Sequence, residues 1–156
     1  MTARVLPKPQ SIGEGVRDMI ASGALSLAVV FTNSGAAIIT NRLQSSPGGT
    51  EAKNIGWGTG TTAAAVTDTA LVTESAPTTS GGRTVGTVSR TAGTAANSKL
   101  TITGTVTAGS SLAITEEGVF DALSAGNMLI RGVFGAVNVV SGDSVAFTTG
   151  LDFIPG

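Results

Sequence analysis

Lys99–Thr107 reads KLTITGTVT. Leu100, Ile102 and Val106 fall on one face and Thr101, Thr103, Thr105 and Thr107 on the other, the period-2 alternation of a strand buried on one side. Outward from this segment, further strands are expected at Thr84–Arg90, Leu112–Thr115, Asn127–Phe134 and Ser144–Gly150. They are separated by Ala92–Ser98 (AGTAANS), Ala108–Ser111 (AGSS), Ser124–Asn127 (SAGN) and Ser141–Asp143 (SGD). Turn chemistry at this spacing predicts an all-β, antiparallel β-sandwich or jelly-roll-like domain rather than βα units. On the N-terminal side, Leu25–Thr32 and Ala36–Asn41 read as strands joined by a hairpin-type turn at Asn33-Ser34-Gly35. A polar loop (Leu43–Asn54), a strand at Ile55–Trp57, a Gly/Thr loop, a strand at Thr69–Glu74 and a turn at Pro77–Gly82 complete the pattern. No exact internal repeat is present, which argues against solenoids and propellers.

Ahead of the β domain, residues 1–10 (MTARVLPKPQ) read as an extended arm, because Pro7 and Pro9 fix φ and push Leu6 and Lys8 towards extended geometry. Such an arm has no core of its own and is either disordered or laid across a neighbour. A short N-terminal helix is expected next: Ser11 and Glu14 form a capping-box pattern, Ile12, Val16, Met19 and Ile20 make one apolar stripe, and Gly23 is placed to stop it. Gly13 and Gly15 weaken it by about 1 kcal/mol each relative to alanine. The helix either plugs one end of the β domain or docks with the arm on an adjacent subunit. The division is therefore 1–23 for arm and helix and 24–156 for the sandwich, with Val5, Leu6, Pro7, Pro9, Ile12, Val16, Met19, Ile20 and Trp57 as candidate partner-binding residues.

Composition removes most chemistry. The 156 residues include no Cys, His or Tyr. That excludes disulfides, thiolate ligands and cysteine nucleophiles, and it removes the commonest general base and transition-metal ligand. Charged residues make up 12%, against about 25% in an ordinary soluble domain. A net charge of -1 provides no electrostatic footprint for nucleic acid or anionic lipid. Mean hydropathy is nevertheless +0.33. Much of the surface must then be apolar or neutral, and weak charge protection favours association. The longest apolar run, Ala24–Phe31, falls far short of the ~20 residues of a spanning helix, and no signal-peptide pattern is found, so cytoplasmic synthesis is expected.

The remaining motifs are structural in character. Asn54–Thr62 (NIGWGTGTT) shares glycines with phosphate-cradling loops, but Lys-Ser/Thr does not follow and the spacing misses the dinucleotide fingerprint. The expected reading is a strand ending on a half-buried Trp57, then a flexible turn. Glu116, Glu117 and Asp121 lie close in sequence. Adjacent glutamates on a strand face opposite ways and cannot address one substrate; calcium near Glu116, Glu117 and Asp121 stays open, beside a plain turn-and-edge role with Gly118 allowing a bend. A Ser-His-Asp triad cannot exist without His. One Trp, five Phe and scattered cations make no stacking platform for nucleic acid. No catalytic residue, cofactor or metal site is assigned.

Four blocks in fixed order carry a resemblance: Ile55, Gly56, Trp57 and Gly58; Asp68, Thr69, Ala70, Leu71 and Glu74; Ile114, Glu116, Gly118, Val119, Phe120 and Asp121; and Ser141, Gly142, Asp143, Val145 and Phe147. Across roughly residues 54–153 the chain resembles small tailed-phage virion proteins, both capsid decoration (cement) proteins and the N-terminal domains of tail or collar fibres. Each block alone is common turn chemistry, and their order is the more specific signal. The resemblance implies a non-enzymatic virion structural protein, a homotrimer on the capsid exterior with the phage major capsid protein as partner, without nucleic acid or membrane contacts. A fibre would continue into shaft repeats, whereas this sequence ends at Gly156, which suits decoration better. The alternative is a small tail, neck or fibre-base protein acting in tail assembly or host adsorption.

Overall fold

A computed structural model describes residues 2–6, 29–44, 49–75, 83–93 and 95–154. In chain order these residues form β1 (Thr2–Leu6), β2 (Val29–Phe31), α1 (Asn33–Leu43), β3 (Asn54–Gly58), β4 (Glu74–Ser75), β5 (Thr84–Val85), β6 (Thr87–Thr91), β7 (Lys99–Thr107), β8 (Leu112–Phe120), β9 (Met128–Val139) and β10 (Ser144–Asp152). The strands make two antiparallel sheets, one ordered β1-β10-β7-β6 and the other β2-β9-β8-β3-β4, with β5 also paired to β3. The architecture is the antiparallel β-sandwich expected from the sequence.

The alternation in Lys99–Thr107 does what its period requires. Ile102 and Val106 of β7, with Val145 and Phe147 of β10, supply one inner face; Ile55 and Trp57 of β3, Val119 of β8 and Ile130 of β9 supply the other, and all belong to one buried cluster. The Trp57 ring meets Phe147 edge-on across the sandwich, with centroids 6.4 Å apart at 83°, an orientation that aromatic quadrupoles favour. A smaller cluster of Leu71, Phe120 and Met128 is separate from this core. The β8–β9 turn is tied by Asp121, whose carboxylate accepts from the Asn127 backbone and side-chain amides at 2.7 and 2.9 Å; Ala125 and Gly126 take positive φ there.

Four sequence expectations are corrected. Ala36–Asn41 is not a strand after a hairpin turn but the body of α1. Thr32 is its N-cap, accepting the Gly35 N–H at 3.0 Å, which makes Asn33-Ser34-Gly35 the first helical turn. A Cβ on Gly35 would stand 2.3 Å from the Leu129 carbonyl oxygen, so glycine there lets the helix lie directly on β9. Thr84–Arg90 splits at Gly86, where the chain passes from β3 in one sheet to β7 in the other; a Cβ there would come within 2.8 Å of the Lys53 and Thr103 carbonyl oxygens. Thr69–Glu74 is loop up to Thr73, and only Glu74–Ser75 joins the sheet. Glu116–Gly118 is not a turn or bend: β8 runs through it to Phe120, in the middle of its sheet.

The N-terminal expectations divide. Thr2–Leu6 is extended, and it pairs antiparallel with Ser144–Thr148 of this chain's own sheet. The expected helix over Ser11–Gly23, with Pro7, Pro9, Ile12, Val16, Met19 and Ile20, lies outside the described residues.

Candidate functional site

Between β3 and β4 the chain crosses the outer face of the six-stranded sheet as an irregular loop, residues 59–73 (TGTTAAAVTDTALVT). Ordering a loop of this length costs conformational entropy that no helix or ladder offsets. What orders it is a carboxylate beneath it. Glu116 has no solvent exposure. Its Oε1 accepts the backbone N–H of Gly60 at 3.1 Å and of Thr73 at 2.8 Å, and its Oε2 accepts that of Val72 at 3.1 Å. One side chain of β8 therefore grips both ends of the loop.

Arg131, next to β8 on β9 and equally buried, completes the cluster. Its Nε and Nη2 donate to Glu116 Oε2 at 3.0 and 2.8 Å. Nη2 also donates to the Thr62 carbonyl at 3.0 Å, and Nη1 to Asp68 Oδ2 at 2.8 Å. Asp68 in turn accepts the Ala65 N–H at 2.9 Å, and Thr115 donates its hydroxyl to the Gly60 carbonyl at 2.8 Å. Burial opposes the charge on Glu116, but the Thr73 N–H, Arg131 and the Val72 and Gly60 N–H groups outweigh it and hold the carboxyl below its ordinary pKa. Asp68 is lowered in the same way, with burial overcome by the Ala65 N–H and Arg131. Both acids are charged at neutral pH and share the one guanidinium of Arg131, with backbone N–H groups taking up the remaining negative charge.

The glycines of NIGWGTGTT are explained by this carboxylate. A Cβ on Gly60 would stand 2.5 Å from Glu116 Oε1 and 2.7 Å from Val72 Cβ; one on Gly58 would stand 2.6 Å from the same oxygen and 2.2 Å from the Thr73 carbonyl oxygen. Within this segment the Gly60 N–H alone donates to the carboxylate, and the other two donors, Val72 and Thr73, come from the loop's return; the glycines make room for the chain's own Glu116 rather than forming a phosphate loop.

At the far end of the loop, Arg83 lies 3.2 Å over the centre of the Phe120 ring. It donates from Nε and Nη2 to the two Glu74 oxygens at 2.8 and 3.0 Å, and from Nη1 to the Ala122 carbonyl at 3.0 Å. Leu71 points inward onto Phe120 and Met128. The outward residues are then Thr61, Thr62, Ala63, Ala65, Val66, Thr67, Thr69, Ala70 and Val72, all exposed. Asp68, the loop's one charged residue, is committed to Arg131. The result is an internally fixed surface whose outward side chains are small and uncharged.

The candidate residues from the sequence fare differently. Trp57 has no exposure, so it is a core residue rather than half-buried and cannot touch a partner. Val5 and Leu6 lie on β1, opposite Val145 and Ser144. Glu116, Glu117 and Asp121 do not converge: Glu116 faces the loop, Glu117 accepts from Thr149 across the sandwich, and Asp121 caps the next turn. Among the described residues no three His, Cys, Asp or Glu side chains are grouped as a metal site would need, and no helix is long and apolar enough to cross a membrane. Asp68 and Arg131 were not among the expected partner-binding residues. Their signal was the lone cation in the apolar stretch Met128–Phe134 (MLIRGVF), since a charge on a buried strand requires a partner.

Comparison of the chain with protein-family models, curated proteins and solved structures gave no match. A second surface feature is an apolar groove of about 390 Å³ between α1 and the sheets, lined among others by Ile38, Ile39, Leu100 and Phe153, with Leu43 on its rim 80% exposed.

Proposed function

We propose that this chain is a non-enzymatic bacteriophage virion structural protein. In this reading it is a capsid decoration (cement) protein that binds the outside of the assembled shell, as a homotrimer, through contacts with the major capsid protein. The observation that carries the proposal is the pinning of residues 59–73 by Glu116 and Arg131. Two buried charges are used to hold an irregular loop whose outer side chains do no chemistry. A surface ordered in advance loses little conformational entropy when it docks, and the absence of free charge on it suits a neutral protein partner better than nucleic acid. The resemblance of residues 54–153 to tailed-phage virion proteins supplies the particle. The mechanism is passive: a protein that binds only the assembled lattice stabilises it by mass action.

The test is co-sedimentation of the purified protein with undecorated shells of the phage that carries it. Saturation at a copy number comparable to the major capsid protein is expected. Val66→Glu and Thr69→Glu, which place charges at two exposed loop positions, are expected to abolish binding without lowering Tm. Saturation at a few copies confined to one vertex, or undiminished binding by both variants, overturns the proposal.

A further inference from the structure

Glu117, on the inner face of β8, takes no part in the loop cluster. It has no solvent exposure and no ion-pair partner among the described residues. Its one hydrogen bond crosses the sandwich: the Thr149 hydroxyl of β10 donates to Oε1 at 2.6 Å. Oε2 has no partner. Directly opposite on β3, in register with Glu117, stands Trp57, whose buried indole Nε1 also has no partner. Buried polar atoms without partners are rare in folded proteins. Here two of them are carried by register-paired neighbours that share one face of the sheet, and both side chains reach β10, Trp57 through Phe147 and Glu117 through Thr149.

Among the described residues no charged side chain pairs with Glu117. The register partner on β9 is Gly132; Arg131, beside it, lies on the opposite face and is committed to Glu116 and Asp68. On the facing sheet, the charged residues of β7 and β10 are Lys99 and Asp152, register partners at the end of their ladder, and Arg90 of β6 is exposed. Burial pushes the Glu117 carboxyl up to about 7; the Thr149 hydrogen bond and, more weakly, the positive amino terminus oppose the shift without cancelling it.

We propose that Glu117 is a proton-operated latch between the two sheets, closed when its carboxyl is neutral and loosened when the proton leaves. A neutral acid in this site needs no counter-ion and keeps its tie to Thr149. An ionised one carries an uncompensated charge held by one hydroxyl, and relief comes from parting β8 from β10 enough to admit water. The direction of the pH response follows from the raised pKa. Between the ordinary carboxylate value and about 7, the folded chain keeps a proton that the unfolded chain has released, so stability falls as pH rises across that window.

Two readouts on the whole protein test this. Trp57 is the only tryptophan and there is no tyrosine, so near-ultraviolet emission reports on this site alone. In wild type, the Glu117 side-chain carboxyl carbon is expected to titrate as a single step near pH ~7, well apart from the other carboxylates. Trp57 emission is expected to move with the same midpoint, and Tm to fall from pH ~5 to ~8. Glu117→Gln, which cannot ionise, is expected to lose the emission step and flatten the Tm profile. Superimposable profiles for wild type and Glu117→Gln overturn the latch. So does a Glu117 carbon that titrates with the other acids, or one that titrates near neutrality while Trp57 emission and Tm stay level. The carbon titration, Trp57 emission and Tm are all read on wild type, and together they decide the matter even if the variant fails to fold.

Discussion

Glu116 and Glu117 are consecutive on β8, neither has any solvent exposure, and they face opposite sides of one sheet. Their pKa values move apart: Glu116 is lowered among backbone N–H groups and Arg131, and Glu117 is raised by burial with one hydroxyl for company. Period-2 geometry separates them, and the separation gives each a different task. Glu116 holds a surface loop in place, and Glu117 sits between the sheets.

The Glu116–Arg131 pair is expected to behave as a unit. Removing one partner from a buried ion pair leaves an uncompensated charge and costs about 3–5 kcal/mol, whereas replacing both costs far less than the sum. Urea unfolding of Glu116→Gln, Arg131→Met and the double variant should therefore show strong coupling. Additive losses would mean that the two side chains do not depend on one another.

Acid should release the loop. The folded pKa values of Glu116 and Asp68 are lowered from 4.5 and 3.8. Their stabilisation is complete above those unfolded values and is lost as pH falls through the folded ones. The expected outcome is a drop in Tm below pH ~4 that is shallower in Asp68→Asn. A Tm that is level down to pH ~2, or a slope unchanged in Asp68→Asn, contradicts this assignment.

Much of this fold was legible because it depends on one pattern. The alternation in Lys99–Thr107 requires a facing sheet, and the turn segments around it mark where the chain reverses. Helix α1 was not legible, since Thr32-Asn33-Ser34-Gly35 suits an N-cap as well as a turn, and packing on β9 at Leu129 decides between them. Irregularity hid the loop site too: Glu116, Arg131 and Asp68 are far apart in sequence and are joined only by the β8–β9 register and the return of the loop. The glycines at 58 and 60 were conspicuous, but nothing local shows that the anion they admit is Glu116.

Those glycines yield a third prediction. Gly60→Ala drives a methyl group into Glu116 Oε1 and Val72, and overpacking of this kind costs about 1–3 kcal/mol. At Gly135, on the exposed side of β9, an added methyl group would meet nothing within 4 Å, so Gly135→Ala is expected to change stability by less than about 0.5 kcal/mol. Equal effects at the two positions, measured by thermal unfolding, would remove the steric account of the loop.

The most direct measurement is amide hydrogen exchange along residues 59–73, on the free protein and on decorated particles. The Gly60, Val72 and Thr73 N–H groups are expected to be protected already in the free protein, because Glu116 holds them. The outward loop positions Thr67 and Thr69 are expected to gain protection only on the particle. A loop that exchanges in the free protein at the rate of unstructured chain, or one whose exchange is the same on and off the particle, would contradict a docking surface pinned by Glu116.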